Sequence, residues 1–275
     1  MDTLCGVLGR RRVVRAARFA LHRSRRDLPN DMRTNGELAL QRWVLAAVPP
    51  GRPVTVLDVG AHTGRWSRAL LELARDTGHR PSLHAFEPAS DSHRRLLAEL
   101  PAVARVNRLA VSDRPGEVML HLAGPHAGRN SLHRLPGPAG AAPERVLATT
   151  LDEYAERERI EQIQLLKVDA EGHDLPVLRG ARRLLGGGAV AVAQFEYNHR
   201  WVHSRHFLKD AFDLAGPLGY RIGKLTRRGV EWYPAWDPEL ETFVEGNYLA
   251  ARPDLAGRLP AVRWWKESGI PCTSD

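Results

Sequence analysis

The sequence contains very little cysteine and no long apolar run. Two cysteines, Cys5 and Cys272, stand at opposite ends of its 275 residues. They form neither a disulfide framework nor a CxxC metal motif, which is typical of a reducing compartment. No stretch approaches the roughly 18 uninterrupted apolar residues of a transmembrane helix, and arginine interrupts the apolar core that a secretory signal would need. We therefore expect a cytoplasmic protein without a transmembrane segment.

Lysine is scarce as well, so arginine supplies nearly all of the positive charge. The chain has four lysines among its 40 basic residues, and its net charge is +8. Residues 1–33 hold nine arginines and three aspartates, a net +6, which leaves +2 for the rest of the chain. A segment of this kind suits anionic lipid, nucleic acid or an acidic partner. We favour instead a solvated helix that packs Val14, Ala17 and Leu21 on the main domain.

The order of predicted elements indicates the fold class. The apolar and charged fractions, 43% and 26%, are those of a globular protein. Short apolar strands alternate with amphipathic helices, which predicts an α/β fold with a doubly wound, Rossmann-like parallel sheet and helices on both faces. We divide the chain into a basic N-terminal helical extension at 1–50, a main domain at 51–252 and a C-terminal tail at 253–275. The predicted strands are 54–59, 82–87, 103–111, 163–169 and 190–197, and the predicted helices are 35–48, 66–75, 91–100 and 175–185.

Two regions interrupt this alternation. Residues 112–150 contain a strand-like 118–122 followed by many turn residues, which predicts a hairpin or loop excursion near the carboxyl edge of the sheet. Residues 198–237 are rich in arginine, histidine and aromatic residues. The elements predicted there and just beyond are a helix at 207–215, a strand at 220–225, a wet aromatic loop and a strand at 242–250.

The first motif that carries chemistry is VLDVGAHTG at residues 56–64. A buried strand ends in an acid and a glycine, and a tight turn then leads into a helix. Glycine lets the backbone bend and approach a ligand closely, and open α/β sheets hold nucleotide-like ligands at this turn. The spacing differs from the GxGxxG of dinucleotide folds. Asp58 would repel a pyrophosphate but suits a positive group, such as those of S-adenosylmethionine.

A second acid ends the next strand. Glu87 follows the apolar residues of HAFEP at 84–88, some twenty residues beyond the glycine turn. A carboxylate in this place accepts hydrogen bonds from both ribose hydroxyls of a nucleotide. Enzymes that use NAD and enzymes that use S-adenosylmethionine share this device, so Glu87 alone does not separate the two classes.

The third motif resembles the hallmark of a known family. Residues 165–181 read LLKVDAEGHDLPVLRGA, which is similar to the K-[IV]-D-x-E-G-x-E-x-x-V-L-x-G-A run of FkbM-type methyltransferases. Asp174 stands where that family usually has Glu. The resemblance covers roughly 54–197 and implies a class I, S-adenosylmethionine-dependent methyltransferase domain at 51–252. Further matching segments are 57–61, 86–88, 110–113, 130–132, 150–152 and 195–196.

The resemblance also implies roles for single residues. The loop of Asp58, Gly60 and Gly64 would hold the methionine part of the donor, Glu87 would bind the ribose, and Asp169 would lie beside the sulfonium. The carboxyl ends of neighbouring parallel strands converge on one crevice, which agrees with these roles. The whole set expected to bind the donor is Asp58, Gly60, Ala61, His62, Gly64, Ser67, Glu87, Pro88, Asp169 and, at the adenine, Ala110, Val111 and Ser112.

Methyl transfer to a hydroxyl needs an in-line arrangement, and a nearby base helps to remove the proton. Glu171 is a candidate base, with a structural role beside Lys167 as the alternative, and His173 either acts as a base or covers the start of the next helix. No metal ligand is assigned, although His199, His203 and His206 have helical spacing. The residues expected at the catalytic centre are Asp169, His173, Glu196 and His199.

The acceptor is not specified by these motifs. Aromatic residues late in the chain either wall an acceptor pocket or pack against the sheet; they are Trp201, Phe207, Trp232, Tyr233 and Trp236. We expect an O-methyltransferase acting on a small-molecule hydroxyl of a sugar, glycan or secondary metabolite. The alternatives are an RNA methyltransferase and a non-catalytic methyltransferase-like binding protein. The basic charge is confined to a short N-terminal segment beside a nearly neutral remainder, which argues against nucleic acid as a partner. A homo-oligomer is possible.

Overall fold

The computed structural model describes residues 9–27, 31–124, 130–135 and 141–266. Cys5 and Cys272 lie outside these residues. The strands are β1 (Val54–Val59), β2 (Pro81–Phe86), β3 (Arg105–Asn107), β4 (Ala110–Val111), β5 (Gly116–Leu120), β6 (Glu144–Thr149), β7 (Leu165–Val168), β8 (Val192–Tyr197), β9 (Arg221–Leu225), β10 (Val230–Tyr233), β11 (Gly246–Ala251) and β12 (Ala261–Val262). The helices are α1 (Arg10–Ser24), α2 (Glu37–Ala47), α3 (Arg65–Asp76), α4 (Ser90–Glu99), α5 (Leu151–Glu158), α6 (Asp174–Arg179), α7 (Arg182–Gly186), α8 (Trp201–Ser204), α9 (Leu208–Ala215) and α10 (Pro253–Ala256), with 3-10 turns at Gly216–Leu218 and Pro238–Leu240.

A nine-stranded sheet forms the centre of the molecule, in the order β3-β2-β1-β7-β8-β11-β9-β10-β12. Neighbouring strands from β3 to β8 are parallel, whereas β11 is antiparallel to both β8 and β9. The chain runs outward from β1 through β2 to β3 and returns on the other side of β1 as β7. This reversal of strand order leaves a crevice at the carboxyl ends of β1 and β7. The predicted α/β, Rossmann-like sheet is confirmed, with an antiparallel part added at one side.

Both faces of the sheet are covered by apolar packing. Alternate residues of β1 enter different core clusters, with Leu57 and Val59 in one and Val56 in the other, as the two-residue period of a strand requires. Leu40 of α2 and Leu70 of α3 pack on the Val56 face. A strand buried on both faces reads as a continuous apolar run, which is why β1 is evident in the sequence.

Two predicted elements are wrong as single units. The strand predicted at 103–111 divides, because β3 pairs with β2 in the central sheet and β4 pairs with β6 in a separate sheet, β4-β6-β5. The helix predicted at 175–185 divides into α6 and α7 around Gly180. A Cβ at Gly180 would lie 2.1 Å from the carbonyl oxygen of Ser112, so close packing against the end of β4 interrupts the helix. The hairpin expected within 112–150 is present as β5 and β6.

Two buried elements are not evident in the sequence pattern. Helix α5 begins at Thr150, whose hydroxyl accepts a hydrogen bond of 3.1 Å from the Glu153 backbone N–H, a regular N-terminal cap. Strand β10 lies where a wet aromatic loop was expected, and that expectation is wrong because Trp232 and Tyr233 are buried in the core. Trp201 is fully buried as well. These three aromatic side chains therefore pack against the sheet.

Helix α1 does not pack on the main domain as expected. None of its residues is buried, and Val14 and Leu21 are 42% and 45% exposed. Ala17, the third residue expected to pack, is also exposed. Within the described residues, an ion pair that joins this segment to the body lies after the last turn of the helix, between Asp27 and Lys224 of β9, and both side chains are buried. A charge pair at one end, rather than apolar burial along the helix, thus fixes this segment.

The segment boundaries at residues 50 and 252 stay predictions, but core contacts extend beyond both. Leu40, Val44 and Leu45 of α2 are buried in the core cluster that includes α3. After residue 252, β12 pairs with β10 at one edge of the central sheet. The main sheet therefore receives packing from both flanking segments.

Candidate active site

A cavity of about 330 Å³ opens at the carboxyl ends of β1, β2 and β7. It lies where the strand order reverses, and β4 and β5 of the small sheet contribute to its wall. Cavities from roughly 300 Å³ upward are the usual sites of small ligands and cofactors. The residues predicted to bind a donor that line it are Gly60, His62, Glu87, Pro88, Ala110, Val111 and Asp169.

The turn after β1 brings three strand ends together. Gly60 has a φ of +78°, and a Cβ there would lie 1.9 Å from the carbonyl oxygen of Asp169. The backbone N–H groups of Gly60 and Ala61 both donate to the carbonyl oxygen of Phe86 at 3.0 Å. Only glycine permits this backbone conformation and this approach without strain. The motif glycine therefore sets the spacing between the ends of β1, β2 and β7.

Glu87 is held as a fixed acceptor at the rim of the cavity. Its Oε2 accepts a hydrogen bond of 2.9 Å from the His62 backbone N–H, and its Oε1 accepts one of 3.0 Å from the Ala89 backbone N–H. Burial raises the pKa of Glu87 to about 7, against the lowering effect of those two donors. Each carboxylate oxygen keeps a further lone pair. The group is thus fixed to accept hydroxyl hydrogen bonds from a ligand.

The strand register separates two sets of charged residues. Gly60, Glu87 and Asp169 each come one residue after the last paired row of β1, β2 and β7, at the rim of the cavity. Asp58 and Lys167 pair with each other one row inside the sheet. The rim residues line the cavity, whereas Asp58 and Lys167 do not. Asp58 and Lys167 therefore belong to a layer beneath it.

This buried charge layer is centred on Lys167. Its Nζ lies 3.5 Å from Asp58 Oδ1 and 3.2 Å from Asp169 Oδ2, and Ser67 Oγ donates to Asp58 Oδ2 at 2.6 Å. Burial raises the pKa of Asp58, while Lys167 opposes that shift. Burial disfavours the charged form of Lys167, but the carboxylates of Asp169 and Asp58 hold its pKa above the ordinary value. The positive group that Asp58 was expected to attract from a ligand is supplied by the chain itself.

The charge layer extends into α2 and β11. The Oε1 of Glu37 accepts hydrogen bonds from Asn35 Nδ2 at 2.8 Å and Asn247 Nδ2 at 3.0 Å. Burial raises the pKa of Glu37, and the charge of Lys167 lowers it. Asn247 in turn accepts a hydrogen bond of 2.9 Å from Gln194 Nε2. Residues far apart in the sequence thus complete the layer that carries Lys167 and, through it, Asp169.

The loop after β7 holds two further acids. Asp174 is fully buried, and its carboxylate accepts from the backbone N–H groups of Ala170 at 3.3 Å and Gly172 at 3.2 Å. Burial raises the pKa of Asp174 to about 7. Glu171 lines the cavity, and its Oε2 lies 3.0 Å from Arg200 Nε. Burial and the charge of Asp169 nevertheless raise the pKa of Glu171 to about 8. The loop therefore places an acid that titrates near neutral pH at the cavity wall.

His173 lines the cavity with both of its ring nitrogens already engaged. Its Nε2 lies 2.9 Å from Ser112 Oγ, and its Nδ1 lies 2.9 Å from His133 Nε2. Burial lowers the pKa of His173 to about 4, and His133 lowers it further. The ring is neutral at physiological pH and held by two partners. It takes a proton from a ligand only if one of these contacts is released.

The lining residues fit a nucleoside that carries a positive group. Glu87 offers the fixed carboxylate, Asp169 faces the cavity with a 36% exposed side chain, and Leu109 and Leu132 supply an apolar wall. The sequence profile described as "Methyltransferase FkbM domain" matches residues 58–222, more than half of the chain. The chain belongs to the FkbM methyltransferase family. Its methyl donor is S-adenosylmethionine, as in that family.

Comparison with solved structures finds similarity to several methyltransferases at low sequence identity. The CMeT domain of the citrinin polyketide synthase is 12% identical, with 76% of this chain and 50% of that chain covered and a TM-score of 0.42. This methyltransferase thus spans half the length of that protein. The plantazolicin methyltransferase BpumL, solved with SAH, is 10% identical, with 79% and 82% covered and a TM-score of 0.42. Fibrillarin from Aeropyrum pernix, solved with S-adenosyl-L-methionine, is 14% identical, with 78% and 76% covered and a TM-score of 0.38. No curated protein sequence matches the chain.

Several predicted donor residues of this FkbM methyltransferase do not line the cavity. Asp58 and Ser67 lie in the charge layer beneath it, and Ser112 is turned toward His173. Ala61 is buried in the core. Gly64 begins α3 against α4, where a Cβ would lie 2.8 Å from Leu96 Cδ1. In the structure these five residues support the residues that line the cavity. That they contact the donor directly stays a prediction.

Two of the four predicted catalytic residues are brought to the cavity. Asp169 and His173 line it, whereas Glu196 and His199 do not. Glu196 is buried, accepts a hydrogen bond of 2.5 Å from Asn198 Nδ2 and lies 3.8 Å from Arg200 Nη1. His199 is exposed at the end of β8. Neither belongs to the lining: Glu196 points into the ion-pair cluster of Arg200, and His199 faces solvent.

Eight lining residues were not among the predicted site residues. Arg65 directly follows the glycine turn as the first residue of α3. Its position next to the motif could have indicated that it lines the cavity. Four others come from the excursion after β3, where the family segment at 130–132 was noted without a site role. The complete set is Val59, Arg65, Phe86, Leu109, Leu120, Asn130, Leu132 and Ala170.

In residues 9–27, 31–124, 130–135 and 141–266, no three His, Cys, Asp or Glu side chains are grouped so that they could hold a metal ion. The helices described there are all too short or too polar to cross a bilayer.

Proposed function

We propose that this protein is an O-methyltransferase that acts on a hydroxyl of a small molecule, such as a sugar, a glycan or a secondary metabolite. One observation carries the proposal: a single cavity holds the fixed carboxylate of Glu87 and, on its β7 side, the acids Asp169 and Glu171. When bound, S-adenosylmethionine supplies a methyl group on a positively charged sulfur. The chain then has to orient the two reactants and accept a proton.

The rim residues account for orientation. Glu87 would accept the ribose hydroxyls, because its oxygens are already aligned by the N–H groups of His62 and Ala89. Asp169 is fixed by Lys167 from beneath, so its carboxylate would favour a positive sulfur at one place in the cavity. Fixing the donor in this way leaves the remaining cavity to the acceptor.

Glu171 is the residue best suited to take the hydroxyl proton. A base works best when its pKa is close to the working pH, and the pKa of Glu171 is about 8. His173 is less suited because both of its ring nitrogens are engaged. In the proposed step the hydroxyl oxygen takes the methyl group while its proton passes to the carboxylate of Glu171. The electron pair of the broken carbon–sulfur bond stays on sulfur.

The proposal is tested by assaying release of S-adenosylhomocysteine with a panel of sugars, polyols and phenols, and with RNA as a separate acceptor. We expect release with hydroxyl compounds, and a mass spectrum and NMR shift of the product that place the methyl group on oxygen. Methylation of RNA alone would support the alternative RNA methyltransferase and contradict the proposal. Donor binding without transfer to any acceptor would support a non-catalytic binding protein.

The base is tested with Glu171→Gln, and Glu245→Gln is the matched control. Glu245 also pairs with Arg200, its Oε2 lying 3.7 Å from Arg200 Nη1, but it does not line the cavity. A base acts when deprotonated, so the wild-type rate rises as the pH rises through the pKa of Glu171. We expect Glu171→Gln to lower kcat by about 10²–10⁴-fold and to remove that rise. If it keeps the wild-type pH profile, Glu171 is not the base.

A further inference from the structure

Helix α1 (Arg10–Ser24) presents apolar side chains to solvent over its whole length. None of its 15 residues is buried, and Phe19 is 68% exposed. Five apolar residues recur at spacings of three and four and so share one side of the helix. These residues, the apolar face of α1, are Val13, Val14, Ala17, Ala20 and Leu21. A helix of this pattern normally buries that side against another surface.

The rest of the helix surface is strongly basic. The helix contains six arginines and no acidic residue. By helical geometry Arg11 and Arg18 lie beside one edge of the apolar face, and Arg12 and Arg23 lie beside the other. Arg15 and Phe19 lie opposite it, and Arg10 falls within its sector at the first turn of the helix. All six arginines are exposed, and across the residues that the structure describes no carboxylate forms an ion pair with any of them. The positive charge of α1 is therefore available to an external partner.

In the part of the chain that the structure describes, the polar contacts that fix α1 to the protein body lie at its C-terminal end. Asp27 and Lys224 form a buried ion pair, and Lys224 Nζ also donates to the carbonyl oxygen of Arg25 at 3.3 Å. His22 Nδ1 lies 2.8 Å from Asp27 Oδ2. These contacts hold the C-terminal turn of α1 on β9, while both faces of the helix point away from the core. The attachment presents the helix without covering it.

We propose that α1 docks the protein on an anionic lipid surface. Interfacial helices combine an apolar face that enters the headgroup boundary with basic residues that contact anionic headgroups. The long stems of the flanking arginines let their guanidinium groups reach the headgroups while the apolar face is inserted. A nucleic acid would use the arginines alone and would leave the apolar face exposed, because phosphate contacts supply most of its affinity. The combination of the two faces favours lipid.

The test is co-sedimentation of the full chain with vesicles of two compositions. One preparation is phosphatidylcholine alone, and in the other about a third of the lipid is phosphatidylglycerol. We expect binding to the anionic vesicles only, and weaker binding as salt screens the charges. Equal binding to neutral vesicles, or no binding to either, would overturn the proposal.

Two variants separate the roles of charge and apolar surface. Arg12→Gln/Arg18→Gln/Arg23→Gln removes three of the flanking charges, and we expect it to weaken binding on the order of a hundredfold. Val14→Gln/Leu21→Gln leaves the charge of the helix unchanged and is expected to abolish binding, because the apolar face can no longer be inserted. Neither variant should shift the melting temperature, since no residue of α1 is buried.

The matched control removes the same charge from other exposed helices and strands. Arg75→Gln/Arg94→Gln/Arg145→Gln changes side chains that are 78%, 71% and 79% exposed. We expect this variant to sediment with anionic vesicles almost as wild type does. If it loses binding to the same extent as the α1 charge variant, the attraction is a property of the net charge and the proposal fails.

Two other binding partners of α1, an RNA and a second copy of the chain, would give different experimental results. Arginine-dependent binding to an RNA oligonucleotide that Val14→Gln/Leu21→Gln leaves unchanged, without vesicle binding, would assign α1 to nucleic acid. A dimer in lipid-free solution that the same variant dissociates would assign the apolar face to a second copy of the chain. Either result would replace the proposal.

Discussion

Asp58 lies within β1 and Glu87 directly follows the neighbouring strand β2, and the two acids face different surroundings. Glu87 stands one residue beyond the last paired row and is held at the cavity by two backbone N–H groups. Asp58 stands inside the sheet, fully buried, and pairs with Lys167 and Ser67. Both acids were expected from the sequence to bind the donor, but their surroundings give them different roles. The rim acid is free to meet a ligand, and the inner acid holds the lysine on which the rim depends.

Lys167→Ala should have the largest effect, because it leaves three carboxylates of the charge layer without their cation. Breaking a buried ion pair by removing one partner costs about 3–5 kcal/mol, and we expect a loss of that size in the free energy of unfolding. The measurement is denaturant unfolding at neutral pH. Lys209→Ala, at a side chain that is 48% exposed and pairs with Asp213, is the control and should change stability by less than about 1 kcal/mol. Similar losses in both variants would contradict a special buried layer.

Glu87→Gln should separate binding from stability. The variant loses the charge that accepts the ribose hydroxyls, and hydrogen bonds to charged groups contribute about 1.5–3 kcal/mol. Calorimetric titration with S-adenosylhomocysteine should show an affinity loss on the order of a hundredfold, with a folded protein.

Asp58→Asn is the counterpart of that experiment. It should lower stability, because Lys167 loses a buried partner, and change donor affinity only a few fold at a temperature where the variant is folded. If Asp58→Asn abolishes donor binding while its stability is unchanged, the division between rim and buried layer is wrong.

Three buried acids in and near the cavity also predict how stability depends on pH. Glu87 and Asp174 have their pKa values raised to about 7, and Glu171 to about 8, in each case chiefly by burial. A carboxyl whose folded pKa is raised binds its proton more tightly in the folded state, so its contribution to stability is complete at acid pH and is lost as the pH rises through 7–8. We expect the ligand-free protein to lose at least about 2 kcal/mol between mildly acidic and mildly alkaline pH.

Denaturant titrations across this range measure that loss. Asp174→Asn should flatten part of the slope, because it removes one of the groups that must ionise inside the folded protein. Unfolding free energies that stay level or rise with pH would show that these acids are ionised at neutral pH in the folded state.

The smallest effect is expected at Arg65. This side chain lines the cavity but is exposed, so solvent screens its interaction with an anionic group of a ligand. Arg65→Gln should weaken binding of S-adenosylhomocysteine by about three- to tenfold. Arg68→Gln, one turn along the same helix and outside the cavity, is the control and should bind as wild type does. Equal affinities of both variants would exclude Arg65 from the donor site.

The sequence indicated the strands and the acids at their ends because both are local features. Buried parallel strands such as β1 read as apolar runs, and Glu87 and Asp169 follow such runs directly. The motif of residues 165–181 was sufficient for the family, which the match over residues 58–222 confirms.

Side-chain contacts between segments that are distant in the chain could not be predicted from the sequence. That Lys167 neutralises Asp58 depends on the register of β1 and β7, and that Glu37 joins them depends on the packing of α2. The engagement of both His173 nitrogens depends on His133, 40 residues away in the chain. These contacts decide which acids and bases face the cavity, and none of them leaves a periodic pattern.

The central claim is that the cavity at the ends of β1, β2 and β7 is the donor site and that Glu87 is its ribose acceptor. A crystal structure with S-adenosylhomocysteine tests this most directly. We predict both ribose hydroxyls within hydrogen-bond distance of the Glu87 carboxylate, the adenine against Leu109 and Leu132, and Lys167 still paired with Asp58 beneath. A ligand bound elsewhere, or one whose amino group displaces Lys167 from Asp58, would contradict the claim.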